Sequence, residues 1–215
     1  MPTQKHILIT GAAGGIGSAI KKTLEKEGNR VTSVRRDEAD LSSYANIAKF
    51  EQKISSDRLQ FDWLVLAHGF IDSETDFEHQ APENIKRTFA INTLAGIYFA
   101  QLFLKHVSAG GGIIFIASTA GLHGNDIYPV YAASKAAINT FAKALARRYK
   151  GRRFYSVCPG PTDTAMWQKI GGAHDDAQDP ADVAKAVTEI ISGAYTSGDV
   201  IVVRDGHISL ATTDT

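Results

Sequence analysis

The chain has 215 residues, 44% of them apolar, with 23 Lys and Arg set against 23 Asp and Glu. That length supports one substantial buried core and is short for two ordinary domains, so residues 1–215 are read as a single unit. The balanced charge offers no field to collect nucleic acid or an anionic membrane, and the lone Cys158 excludes an internal disulfide, so neither partner and no oxidising compartment is expected.

The N-terminal MPTQKHILIT reaches an apolar run within a few residues, without a basic leader followed by a long apolar stretch. No run approaches the roughly 20 apolar residues of a membrane span, so a soluble cytoplasmic protein is the expectation. In chain order, strands are predicted at Lys5 to Thr10, Arg30 to Val34, Trp63 to Ala67, Gly112 to Ser118, Arg153 to Cys158 and Val200 to Val203. A helix between the first two follows from the spacing of Ile16, Ala19, Ile20, Thr23 and Leu24, with Gly28 and Asn29 as its stop. Arg36 to Phe61 holds one helix and at most a stub of strand near Ala39 and Asp40. Pro82 to Val107 reads as one long helix, Tyr128 to Lys150 as another, and Asp179 with Pro180 as the N-cap and first turn of a helix to Ser192. Apolar strands alternating with helical segments predict an α/β fold: a doubly wound parallel sheet with helices on both faces.

The first strand leads into Thr10, Gly11, Ala12, Ala13, Gly14, Gly15, Ile16 and Gly17, and then into the amphipathic helix. Glycines here let the backbone turn tightly and approach a pyrophosphate, whose charge the helix N-terminus favours. The spacing is TGxxxGxG and differs from GxGxxG. Farther along, Tyr131 and Lys135 lie four residues apart in YAASK and share a helix face, while Ser118 ends the apolar run GGIIFIAS. A phenol, an ammonium and a hydroxyl aimed into one cleft form a proton-transfer constellation.

Together TGxxxGxG, Ser118 and the YxxxK of Tyr131 and Lys135 resemble the compact branch of the short-chain dehydrogenase/reductases. Asn92 in AINTLAG, and Pro159, Gly160 and Thr164 in PGPTDT, add to the resemblance, which extends in order and spacing over nearly the whole chain. It implies a Rossmann-type dinucleotide-binding catalytic domain that moves a hydride between a nicotinamide cofactor and a carbonyl or alcohol. It further implies that Tyr131 is the general acid or base, that Ser118 binds the substrate oxygen, that Lys135 binds the nicotinamide ribose, and that Asn92 places a water in a relay to Lys135. A cation beside Tyr131 is expected to favour its phenolate; no metal is expected, since the donors of Ser118 and Tyr131 polarise the carbonyl. Thr119 is the alternative to Ser118. The cofactor contacts implied include Thr10, Gly11, Ala13, Gly14, Gly15, Ile16, Gly17, Asn92, Tyr131, Lys135, Pro159, Gly160, Thr162 and Thr164, with Asp40 and Leu41 as the adenine-contacting pair.

The chain departs from the family in two places. Where relatives carry NNAG, it has Leu66, Ala67, His68 and Gly69, so the bracing role of the first Asn passes elsewhere, while Ala67, His68 and Gly69 still line the cofactor. At the end of the second predicted strand, where an NAD-preferring Rossmann protein places a carboxylate, Arg35 and Arg36 stand instead. Paired guanidiniums suit a 2′-phosphate, so NADP(H) is favoured over NAD(H); the other reading is a solvated loop charge balanced by Asp37 and Glu38. Residues 165–178, with Met166, Trp167 and Ile170 and the pair Gly171 and Gly172, occupy the place of the substrate lid and read either as a short lid or as an ordinary loop. Two other readings use the same motifs, a non-catalytic NADP(H)-binding redox sensor and an epimerase or dehydratase. The resemblance also implies a homodimer or homotetramer through the two long helices and the region from Val200 to His207.

Overall fold

The computed structural model describes residues 4–35 and 39–211. Its strands are β1 (His6–Thr10), β2 (Arg30–Val34), β3 (Phe61–Leu66), β4 (Val107–Ile116), β5 (Arg153–Pro159), β6 (Val200–Arg204) and β7 (His207–Leu210). Its helices are α1 (Gly15–Lys26), α2 (Tyr44–Ser56), α3 (Pro82–Phe89), α4 (Ala95–Phe103), α5 (Ala120–His123), α6 (Pro129–Arg148), α7 (Ala165–Lys169) and α8 (Pro180–Ser192). The strands form one sheet in the order β2-β1-β3-β4-β5-β6-β7, parallel throughout except for the antiparallel β7. Between β1 and β3 the strand order reverses, which opens a crevice at their carboxyl ends.

Both faces of the sheet are covered, which is why its strands read as continuous apolar runs. In β3, Trp63 and Val65 join the core under α1 and α8, beside Ile20, Leu24, Val187 and Ile190. Leu64 and Leu66 face the other way, into the core shared with α2, α4 and α6 through Phe50, Phe99, Phe103 and Ile138. Among the described residues no helix is long and apolar enough to cross a membrane.

The six predicted strands are present, β2 with the predicted ends and the other five with shifted ones, and three local features differ. No strand forms near Ala39 and Asp40: the Asp40 carboxylate accepts hydrogen bonds from the Ser42 amide at 3.0 Å and hydroxyl at 2.8 Å, which closes a turn before Ser43 caps α2. The strand β7 was not legible, being four residues of mixed polarity that pair on β6 beyond the turn at Asp205 and Gly206. The predicted helix from Pro82 to Val107 is interrupted: a π turn over Ala90–Leu94 separates α3 from α4, and a 3-10 turn follows at Leu104–His106. A π turn inserts one residue into the helical ladder and re-aims the side chains on either side of it.

At the opposite end of the molecule, the buried Glu51 of α2 lies 2.7 Å from His106 Nε2 and 2.9 Å from Lys105 Nζ and accepts from Ser55. Burial acts to raise this carboxyl, but the hydrogen bonds from Ser55, His106 and Lys105 outweigh it and hold it at about 2, below the usual 4.5. A lowered carboxyl contributes stability that is present above the unfolded value and lost as pH falls toward the folded one. Urea unfolding at pH 7 is therefore expected to show Glu51→Gln less stable than the parent by about 2 kcal/mol. The deficit should shrink as pH drops from 4.5 toward 2.

Candidate active site

The glycine turn leaves β1 with Gly11 at φ +70° and closes with the Gly14 amide donating to Gly11 O at 2.9 Å. A Cβ on Gly11 would lie 2.6 Å from Ala67 O, and one on Gly17 would lie 2.1 Å from Gly11 O, so the turn packs on its own backbone and on the loop after β3. Gly14 caps α1 without a side-chain hydrogen bond, leaving the first amides of the helix for an anion, with Ala13 and Gly14 exposed at the mouth. Gly15 faces Thr164, whose methyl lies where a Cβ would stand, and Ile16 packs onto the core beneath α1.

The loop after β3 shows what stands in for the missing Asn. Leu66 is buried in the core, while Thr10 holds the loop twice: its carbonyl accepts from the Ala67 amide at 3.3 Å, and its hydroxyl lies 2.7 Å from His68 Nδ1. His68 is buried, and burial, helped by the charge of Lys135, pulls its imidazole down to about 3. At Gly69 a Cβ would come within 3.6 Å of Lys135 Nζ, 3.7 Å of Met166 Cε and 3.8 Å of Asn92 Oδ1, so bare backbone borders the site there.

Asn92 sits inside the π turn and is buried. Its Oδ1 accepts from the Phe70 amide at 2.7 Å, and its Nδ2 donates to Phe70 O at 2.8 Å and to Ser134 Oγ at 3.0 Å. The two-sided clamp on Phe70 and the part played by Ser134 were missed in the sequence. Only the position of Ser134, one helical turn past Tyr131 within YAASK, could have signalled its role.

Ser118 and Tyr131 bring their side chains together, near enough for the serine hydroxyl to act on the phenol. Ser118 lies two residues beyond the end of β4, where its Oγ also accepts from the Ala120 amide at 3.2 Å. Thr119 is occupied elsewhere: its hydroxyl donates to Pro159 O at 3.3 Å. Lys135 is buried one turn after Tyr131, and its Nζ donates to Ile116 O at 2.9 Å while standing 5.8 Å from the centre of the Tyr131 ring. Burial lowers this ammonium to about 8. Burial also raises the Tyr131 phenol, with the Ser118 hydroxyl pulling it the other way. The expected drop in the phenol's pKa is thus absent in this arrangement, because burial outweighs the Ser118 contribution.

The remaining sequence-derived positions are spread along the same edge. Pro159 ends β5, and the Gly160 amide donates to Val203 O at 2.8 Å. Thr162 is buried, its hydroxyl donating to Gly160 O at 2.9 Å and accepting from Gln178 Nε2 at 3.3 Å, which ties the two ends of the 163–177 segment together. Thr164 caps α7 by accepting from the Trp167 amide at 3.2 Å. Arg35 is exposed just past β2, Asp40 is exposed, Leu41 packs against the core, and Arg36 lies outside the described residues. The uncapped α1 terminus, the close-packed glycine turn and the bare backbone at Gly69 fit a dinucleotide, with amides for the diphosphate and Lys135 beside the place for a ribose.

The family model for short chain dehydrogenases matches residues 5–45 and 35–176. The chain belongs to the short-chain dehydrogenase/reductase family. It is 30% identical over 236 residues to the 3-oxoacyl-acyl-carrier-protein reductase of Rickettsia felis, covering 96% of this chain and 98% of the relative. It is 31% identical over 186 residues to L-xylulose reductase of Caenorhabditis elegans, covering 76% of this chain and 74% of the relative. Among solved short-chain dehydrogenases, a small-chain dehydrogenase in complex with NADPH superposes with TM-score 0.83 at 22% identity, over 95% of this chain and 98% of that one. A 4-hydroxyisoleucine dehydrogenase complexed with NADH gives TM-score 0.82 at 23% identity, over 94% of this chain and 97% of that one. These likenesses establish the Rossmann-type fold.

A histidine kept neutral by burial charges in the unfolded chain before it charges in the native one. Stability is therefore lost as pH falls below the unfolded value of 6.5 toward the folded value of about 3. His68→Asn should remove this term and flatten the fall in unfolding free energy between pH 7 and pH 5, by about 2 kcal/mol at pH 5; denaturant titrations of both proteins at the two pH values provide the comparison.

Proposed function

We propose that this oxidoreductase reduces a small carbonyl compound with NADPH in preference to NADH, with Tyr131 delivering the proton. The observation that supports this reading most is the meeting of Tyr131, Ser118 and the buried Lys135, whose Nζ stands 5.8 Å from the centre of the Tyr131 ring. When bound, the reduced nicotinamide supplies the hydride. Ser118 holds the substrate oxygen and polarises the carbonyl, and Tyr131, kept protonated near neutrality by its burial, hands its proton to the developing alkoxide. Lys135 would hold the ribose and restore the proton to Tyr131, with Asn92 steadying the loop at Phe70 through its two hydrogen bonds there. Arg35, exposed at the position just past β2 where an NAD-preferring Rossmann protein places a carboxylate, supports the preference for a 2′-phosphate, with Arg36 beside it in sequence.

Residues 165–178 act in this reading as a short lid. Met166 reaches the edge of Gly69, and the Trp167 indole donates to Ala173 O at 2.8 Å and fills the space beside Gly172, so the segment can move as one small body. The protein is proposed to assemble as a homodimer or homotetramer; the exposed Leu94 on the broken helix and Leu210 on β7 supply apolar surface on the two faces involved. Sedimentation at micromolar concentration would oppose the assembly if it showed monomer alone.

Two sets of variants test the chemistry. Tyr131→Phe should cut turnover of small aldehydes and ketones by at least about a hundredfold and leave the dinucleotide Kd unchanged, whereas Lys135→Met should damage both. Full turnover by Tyr131→Phe excludes the mechanism. For the cofactor, fluorescence titration should show NADPH binding more tightly than NADH, and Arg35→Ala with Arg36→Ala should weaken NADPH by at least about tenfold while sparing NADH; equal loss for both dinucleotides rules out a role for the arginines in selection.

A further inference from the structure

A buried polar cluster lies directly behind the catalytic groups, and none of the roles described above uses it. Asn139 stands on α6 one turn beyond Lys135 and is 5% exposed. Its Oδ1 accepts from Ser156 Oγ and, at 3.2 Å, from Cys158 Sγ, both of which are fully buried on β5. Its Nδ2 donates to Gly121 O at 3.4 Å. Gly121 belongs to the turn that starts at Ser118, because the Gly121 amide donates to Ser118 O at 3.0 Å. A Cβ on Gly121 would lie 2.7 Å from Ala136 N and from Lys135 C, so this turn is pressed onto α6 at the catalytic lysine. The Cys158 thiol donates to Asn139 Oδ1 and lies 3.9 Å from Ser156 Oγ.

One amide therefore joins the three elements that deliver the catalytic groups: α6 with Tyr131 and Lys135, the turn with Ser118, and β5 as it approaches Pro159. Resting on the proposed roles of Ser118 and Tyr131, we infer that Asn139 is a positioning residue that holds the Ser118 turn against α6 and so sets where Ser118 stands relative to Tyr131. The two functions of its amide are separable. The oxygen satisfies hydroxyl and thiol donors that have few other acceptors in the core, while the nitrogen reaches the Ser118 turn and sets how far that turn stands from α6. A purely structural amide would matter for stability alone. A positioning amide would also alter Tyr131, since the Ser118 hydroxyl acts to lower the phenol's pKa.

Asn139→Leu removes both functions, and Asn139→Asp keeps the acceptor for Ser156 and Cys158 while losing the donor to Gly121. The first readout needs no turnover: alkaline titration of the phenolate absorbance, taken as the difference between each protein and its own Tyr131→Phe version. Both variants should titrate Tyr131 at higher pH than the parent, with Asn139→Asp keeping more of the thermal stability. In the carbonyl assay kcat should fall at least about tenfold, with the KM for NADPH unchanged. If either folded variant leaves both the Tyr131 titration and kcat at parental values, the inference is overturned and Asn139 is structural only. If the parent binds no dinucleotide and turns over no carbonyl, the proposed function fails instead, and the titration still decides whether Asn139 sets the geometry of Ser118 and Tyr131.

Discussion

The structure turns on one buried charge. The Lys135 ammonium, 4% exposed, donates to the carbonyl of Ile116 at the end of β4. An ammonium taken out of water must be met by oxygen acceptors, and at the carboxyl edge of a parallel sheet the outgoing strands present their last carbonyls. The cost of that burial is visible in the lysine itself, whose affinity for a proton falls to about 8. Much of the site can be read as a shell around this group. Bare backbone at Gly69 leaves room in front of it, Gly121 lets the Ser118 turn press onto the helix beside it, and Cys158 lies behind it on β5.

Two close backbone approaches make the shell rigid. The glycine turn is packed against the loop after β3, with Gly11 against Ala67 and Thr10 bonded to both Ala67 and His68. The same loop is then held at Phe70 by Asn92, which the π turn swings inward. Here an imidazole and a threonine hydroxyl do the bracing, and the imidazole can serve because burial keeps it neutral.

The segment that closes the far side of the crevice is tied down at its ends and packed on itself between them. Thr162 and Gln178 bridge its base, and Trp167 folds over Gly172. A unit with fixed ends and an internal knot suits opening and closing about its attachments better than unravelling. Met166 of this segment comes to the edge of Gly69, where an added Cβ would lie 3.7 Å from its Cε.

Much of this was legible from residue order alone. Strands buried on both faces announce themselves as apolar runs, so β1 through β6 could be read, and the glycine turn, Ser118, Tyr131 and Lys135 each carry a local spacing tied to a local geometry. What the tertiary structure decided depends on partners distant in sequence. The break in the helix around Asn92 has no proline or glycine to mark it and exists where Phe70 and Ser134 satisfy the Asn92 amide. The direction of the Lys135 ammonium, toward Ile116 O, depends on where the end of β4 lies, and the rise in the Tyr131 phenol's pKa depends on the packing that buries it. The hub at Asn139 was invisible for the same reason: a helix residue, two strand residues and a turn carbonyl acquire a shared role only when packing removes the water that would otherwise serve each of them.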